Sequence, residues 1–373
     1  MLDLFFPQSK MSQALSITAR AVPARTSLPI LECVLLEAKD GIISLTANDM
    51  EKAIRTVIPG KIVGEGKIAL EAKLFSDMIR KMPDEEIHLK VGSNLQVEIT
   101  SQGGAGNPKF IMPGKNGEDF IGLPAMEKGE AVHISQLTLK NIVEQTIFST
   151  ALNDNNKMMT GELFEIKGNV LRLAALDGHR IAIRYCILKE HYENKAVIIP
   201  GKTLSDISRI IGGDAGKEVE IYLGRNHIMF VIEETTMVSR LIEGEYFRID
   251  QMITNNYETK ISFNRREMID CIERAMILVR ESDKKPLIID IKDSGVELTL
   301  TSIIGSMRET LSVEKEGKDL MIGFNPRFLS DALKAVEDER VSLFLTNSRA
   351  PGFIRDEQGT YIYLILPVNF VSR

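Results

Sequence analysis

A chain of 373 residues with 46 lysines and arginines against 52 aspartates and glutamates has a formal net charge of −6, and is 44% hydrophobic and 26% charged. That composition excludes a disordered or fibrous protein, and the length exceeds one ordinary core of about 100–150 residues, so two or three domains are expected. The acidic balance also excludes binding nucleic acid through overall positive charge; any contact with phosphates has to be local.

The chain opens on Met1-Leu2-Asp3-Leu4-Phe5-Phe6, with an acid and no basic leader, and nowhere do about 18 apolar residues run together. Neither secretion nor membrane insertion is expected, and the protein is assigned to the cytoplasm. Cys33, Cys186 and Cys271 are odd in number and far apart, which suggests neither a disulfide framework nor a metal cluster.

In chain order, apolar residues three and four apart predict a helix from Ser9 to Val22, with a polar start suited to capping, and alternation predicts a strand at Gly41 to Thr46. A second helix begins at Lys73-Leu74-Phe75-Ser76-Asp77, and strands follow over Ile87 to Ile99 with a turn at Gly92. Gly103-Gly104-Ala105-Gly106 lacks the Gly-Lys-Ser/Thr ending of a nucleotide-binding loop and reads as a hairpin connection.

The same order then recurs. Helical spacing runs from Ser135 to Phe148, alternation from Asn169 to Ala174, a helix starts at Lys202-Thr203-Leu204-Ser205-Asp206, and strands span Val219 to Ile232 around Gly224. A third copy has a helix from Asn264 to Leu278, a strand at Gly295 to Leu300, Arg327-Phe328-Leu329-Ser330-Asp331, and strands from Val341 to Ile354 with Gly352. The second-helix signatures lie 129 and 125 residues apart. With linkers near Glu127-Lys128-Gly129 and Thr254-Asn255-Asn256, this predicts three repeated α+β domains, 1–128, 129–254 and 255–373, each with two helices packed on antiparallel sheets.

In each second helix a basic residue recurs seven places on: Lys73 and Arg80, Lys202 and Arg209, Arg327 and Lys334. Seven residues is close to two turns, so each pair shares a face. Leu74, Phe75, Met78, Ile79 and Met82 in the first copy, and Phe328, Leu329, Ala332, Leu333 and Val336 in the third, should pack inward. Solvent-facing lysines are ordinary on one helix, but a stripe repeated three times on an acidic protein calls for a repeated anionic partner, and duplex DNA is one. No base-reading module and no Trp is present, so such contact would be independent of sequence.

The chain resembles the bacterial sliding clamp, the beta subunit of DNA polymerase III, along essentially its full length. The residues that carry the resemblance are Arg25-Thr26-Ser27-Leu28-Pro29-Ile30-Leu31, Leu45-Thr46-Ala47-Asn48-Asp49, Asp177-Gly178-His179-Arg180-Ile181-Ala182, Ile322-Gly323-Phe324-Asn325 and Tyr363-Leu364-Ile365-Leu366-Pro367-Val368. The resemblance implies a non-catalytic processivity subunit of a polymerase holoenzyme that is itself a nucleotidyltransferase. It implies a head-to-tail homodimer of the DNA clamp fold, ring-shaped, with helices lining a hole that takes double-stranded DNA. Ring closure would involve Phe110 and Met112 on one chain and Ile277 and Leu278 on the next. DNA contacts would come from Arg25, Lys73, Arg80, Lys202 and Arg209, with Arg327 and Lys334 added by the repeat.

The resemblance further implies a hydrophobic cleft for short peptides of the replicative polymerase catalytic subunit, the clamp loader, and repair and translesion polymerases. Its residues would be Met159, Leu176, Gly178, His179, Arg180, Ile181, Phe247, Met252, Leu364, Leu366, Pro367 and Val368. Methionine suits a cleft that accepts several sequences. The chain departs from the family at Asn156-Lys157, where Arg-Pro is common, at Phe247, which replaces a rim proline, and in its ending Asn369-Phe370-Val371-Ser372-Arg373. These departures leave two readings open, the main replicative clamp and a divergent second copy.

Two other classes compete: a clamp-fold peptide-binding adaptor, such as a repair paralogue, that does not encircle DNA, and a hydrolase built on Asp177 and His179. No nucleophile accompanies that pair, and the histidines at 88, 133, 179, 191 and 227 show no metal-ligand spacing, so neither cofactor nor metal is expected.

Overall fold

Among the described residues six helices form where the apolar spacing places them: α1 (Gln8–Thr18), α2 (Ala72–Lys81), α3 (Gln136–Glu144), α4 (Gly201–Ile210), α5 (Arg265–Met276) and α6 (Pro326–Ala335). They belong to a computed structural model describing residues 1–101, 106–152, 155–280 and 285–370. The expected connection at Gly103, Gly104 and Ala105 and the tail residues Val371, Ser372 and Arg373 lie outside the described residues. No described helix is long and apolar enough to cross a membrane.

Side chains satisfy the orphan amides at several helix starts. Glu71 accepts from the amides of Lys73 and Leu74 at 3.1 and 2.7 Å, Asn264 from those of Arg266 and Glu267, and Asn325 from that of Arg327. Pro326, with no amide to satisfy, then occupies the first turn of α6. The first helix differs from expectation: it starts after Pro7 with no side-chain cap. Gln8 instead donates from Nε2 to the carbonyl of Ile79 at 2.7 Å, tying α1 to the end of α2.

Phe75, Ile79 and Met82 are buried as the periodicity requires, as are Leu329, Ala332, Leu333 and Val336 on or just after α6. Leu74 corrects the expectation. It is 41% exposed, because one residue before Phe75 is about 100° around the helix, on the side of Lys73.

The chain forms two compact units, Met1–Gln136 with Arg209–Leu241, and Leu137–Ser208 with Ile242–Arg373. In the first, a five-stranded sheet ends on strand Lys109–Pro113, and a nine-stranded sheet joins Lys52–Ile58 to Thr235–Arg240. The hydroxyls of Thr56 and Thr235 meet across that pairing at 2.9 Å. In the second unit, a seven-stranded sheet pairs Arg180–Pro200 with Tyr361–Ile365, and a four-stranded sheet ends on Ser306–Leu311. Sheets continuous across the sequence thirds explain why compactness divides the central third while the repeat does not.

Asn169 to Ala174 is the second half of a longer strand, Gly161–Leu176. Gly352, expected at a turn, opens strand Gly352–Arg355 opposite Ile365. A Cβ there would stand 2.7 Å from the Phe324 ring, so packing rather than turning requires glycine. The bend before it is made by Asn347, whose Oδ1 accepts from the amides of Arg349 and Ala350. Residues 121–130 and 253–257 carry no helix or strand.

Candidate binding cleft and cationic helix faces

The segment from Asp177 to Arg180 turns strand Gly161–Leu176 back into Arg180–Pro200, with Gly178 at φ +82°, a conformation that favours glycine. Asp177 holds the turn by accepting from the amides of His179 and Arg180 through Oδ1, and from Arg180 Nε through Oδ2 at 3.0 Å. The carboxylate is thereby engaged by Arg180 and the backbone, which gives it a structural role. His179 instead stacks on Phe328, with ring centroids 6.1 Å apart.

Arg180 is the hub of this corner. Its Nη1 donates to Asp331 at 2.6 Å, its Nη2 donates to the carbonyl of Phe148, and its guanidinium lies 4.4 Å from the Phe328 ring centroid. Asp331 belongs to the third copy of the repeated signature, so part of that signature serves packing within the second unit.

Register brings the remaining residues around this corner. Ile181 pairs with Leu364, and the Leu366 amide donates to the His179 carbonyl at 2.9 Å. Phe247 and Met252 flank a 3-10 turn, Ile249–Gln251, that Arg172 pins through Asp250 at 2.6 Å. Met159 comes from a second 3-10 turn, Lys157–Thr160, capped by Asn156. Thus one of the positions where the chain departs from the family has a clear structural role.

The result is a cavity of about 420 Å³ lined by ten of the twelve expected residues: Met159, Leu176, Gly178, His179, Arg180, Ile181, Phe247, Met252, Leu364 and Leu366. Its lining is apolar apart from His179 and Arg180, and the arginine's donors are already engaged. Such a cavity can take aliphatic and aromatic side chains of an extended segment. Pro367 and Val368 do not line it; they run on toward strand Leu320–Phe324, where the Val368 amide meets the Gly323 carbonyl at 2.8 Å. Pro351 lines it and was not legible, since only the strand register of Gly352 opposite Ile365 brings it there.

Near this corner Glu162, on strand Gly161–Leu176, is fully buried. The Thr146 hydroxyl donates to its Oε2 at 2.8 Å, while Oε1 has no partner among the described residues. Burial pushes this carboxyl up to about 8, so it keeps its proton at neutral pH.

All the expected DNA-facing cations, Arg25, Lys73, Arg80, Lys202, Arg209, Arg327 and Lys334, are exposed. Two are engaged: Arg80 lies 3.3 Å from Asp77, and Lys334 lies 2.7 Å from Glu273 of α5. The expected interface residues separate. Ile277 is 75% exposed, Phe110 and Leu278 are half-buried, and Met112 is 1% exposed. Met112 is therefore a correction, since alternation along Lys109–Pro113 turns its side chain into the core and leaves Ile111, 56% exposed, outward. Ile303 and Ile304, also exposed beside the terminal strand Ser306–Leu311, gave no repeat signal in the sequence.

These features, a repeated two-helix unit on antiparallel sheets with an apolar cleft and terminal strands, define a clamp-type protein. Family models describe the three parts of the DNA polymerase III beta subunit, matching the N-terminal domain at residues 3–124, the central domain at 133–247 and the C-terminal domain at 250–369. The chain belongs to this family, the bacterial beta sliding clamps. It is 32% identical to the beta sliding clamp of Staphylococcus aureus over 99% of this chain and all of that one. Its fold matches the crystal structure of a putative DNA polymerase III beta subunit from Eubacterium rectale with TM-score 0.95 and 50% identity, covering 99% of this chain and all of that one. It matches the sliding clamp of Bacillus subtilis with TM-score 0.94 and 27% identity, at the same coverage.

Proposed function

We propose that two copies of this chain join head to tail in the cytoplasm, close around duplex DNA without reading its sequence, and hold replication enzymes there. In this reading the domains run over 1–128, 129–254 and 255–373. Arg25, Lys73, Arg80, Lys202 and Arg209 face phosphates, and the cleft takes peptides of the replicative polymerase, the clamp loader and repair polymerases.

The observation that carries the reading is a pair of sheet ends that look built for association. Strand Lys109–Pro113 ends one sheet and exposes Ile111; strand Ser306–Leu311 ends another beside exposed Ile277, Ile303 and Ile304. Unpaired strand edges flanked by exposed aliphatic residues favour pairing with another chain. The full-length likeness to sliding clamps favours this over a clamp-fold adaptor.

Sedimentation equilibrium tests the assembly. The wild type is expected to be dimeric at micromolar concentration, and Ile277→Asp with Ile303→Asp to be monomeric with unchanged secondary structure. A wild type that stays monomeric throughout that range contradicts the proposed ring.

A further inference from the structure

The cleft carries two thioethers in different settings. Met159 packs with Phe247 against a buried cluster that includes Leu163, Leu176, Ile181 and Leu364. Met252 stands 47% exposed just after the 3-10 turn Ile249–Gln251. Its amide donates to the Ile249 carbonyl at 2.8 Å, and the ion pair of Arg172 with Asp250 fixes the turn. The backbone is thus held while the side chain reaches solvent. Among the described residues Met1, Met50 and Met321 are also exposed, but none of these lines the cleft.

Oxidation of a thioether follows its access to the oxidant, and an exposed rim position gives that access. In the step one oxygen atom passes from hydrogen peroxide to the sulfur: the O–O bond breaks, an S–O bond forms, the sulfur gives up two electrons, and the peroxide leaves as water. The product replaces an apolar, polarisable surface with a strong hydrogen-bond acceptor. The polar side chains of the lining are His179, stacked on Phe328, and Arg180, whose donors are engaged by Asp177, Asp331 and the Phe148 carbonyl. A sulfoxide oxygen on Met252 therefore takes its hydrogen bonds chiefly from water, and an apolar segment entering the cavity expels that water.

We propose that Met252 is a reversible oxidation site through which peroxide lowers the affinity of the cleft for its peptides. Thiol-dependent reduction, which returns two electrons and two protons and releases the oxygen as water, restores the thioether and the affinity. The inference rests on the peptide-cleft reading above and adds to it a modification at one rim residue.

The test uses the full chain and a fluorescein-labelled peptide containing Leu-Ala-Leu-Phe, whose aliphatic and aromatic side chains suit the cavity, with affinity read by anisotropy before and after graded hydrogen peroxide. Tandem mass spectrometry locates the added oxygen, and dithiothreitol, which reduces oxidised thiols but leaves sulfoxides, removes any contribution of Cys33, Cys186 and Cys271. Met252 is expected to gain its oxygen before Met159, and the affinity to fall roughly tenfold as it does. Methionine sulfoxide reductases acting on both epimers should restore it. Met252→Leu should keep its own starting affinity in peroxide, while Met159→Leu should still lose affinity. Unchanged binding by a wild type carrying the Met252 sulfoxide, oxidation that reaches Met159 first, or a Met252→Leu variant as sensitive as the wild type overturns the proposal. A wild type that does not bind the peptide before oxidation defeats the cleft reading itself, and the proposal with it.

Discussion

Arg180→Ala is expected to cost about 3 kcal/mol in urea unfolding, because breaking a well-buried ion pair by deleting one partner leaves the other charge desolvated. The Arg180 side chain is 11% exposed and joins Asp177, Asp331 and the Phe148 carbonyl through one planar fork while covering the Phe328 ring. Losing it strands two carboxylates and removes the support beneath His179, so the cleft should lose peptide affinity as well as stability. Arg180→Lys should recover only part of the loss, since an ammonium cannot supply the fork. A cost below about 1 kcal/mol for the alanine variant would mean that water replaces the guanidinium and that the corner is less dry than its geometry implies.

Glu162 should make stability fall as pH rises. A carboxyl at about 8 in the folded chain, against 4.5 when exposed, binds its proton in the folded state where the unfolded chain has lost it. Its contribution is therefore complete below about pH 4.5, declines through neutrality and is gone above about 8. The whole span corresponds to several kcal/mol, on the order of 5, given about 1.4 kcal/mol per pH unit. Glu162→Gln keeps an acceptor for the Thr146 hydroxyl and removes the titration. Its denaturation midpoint should accordingly vary less between pH 5 and 9 than that of the wild type, and exceed it most at the alkaline end. Parallel pH profiles for the two proteins would show that the carboxyl is hydrated and ionised in the fold.

The helices and the repeated order of elements were legible because periodicity is local: Phe75, Ile79, Leu329 and Leu333 needed only their neighbours in sequence to be placed inward. Leu74 was misplaced because one residue of offset on a helix decides between core and surface, and the exposed flank of α2 tolerates an aliphatic side chain. The association of Lys52–Ile58 with Thr235–Arg240 was not legible, since pairing across 179 residues between Thr56 and Thr235 leaves no mark in either strand's alternation. The cleft could be named residue by residue only through resemblance to a family. Alternation alone assigns Leu364 to the core, where it is indeed 4% exposed, while Leu366, two residues on at the strand's end, lies at the open lip. Arg180 shows the limit most clearly: its partners lie 3, 151 and 32 residues away, and only the folded chain brings them to one guanidinium.

The charge stripe illustrates the converse. Sequence spacing placed Lys73, Lys202 and Arg327 outward correctly, but treated the three copies as equivalent. Side-chain geometry separates them, because Arg80 meets Asp77 of its own helix at 3.3 Å whereas Lys334 meets Glu273 of the neighbouring helix α5 at 2.7 Å.

Topology tests the central claim most directly. The protein would be loaded by a clamp loader of proven activity onto nicked circular DNA and washed in high salt, where contacts with phosphates are screened. The DNA would then be linearised, and bound protein measured before and after cutting. A ring that encircles the duplex stays on the circle through the wash and leaves once the DNA has ends; loss during the wash would contradict encirclement.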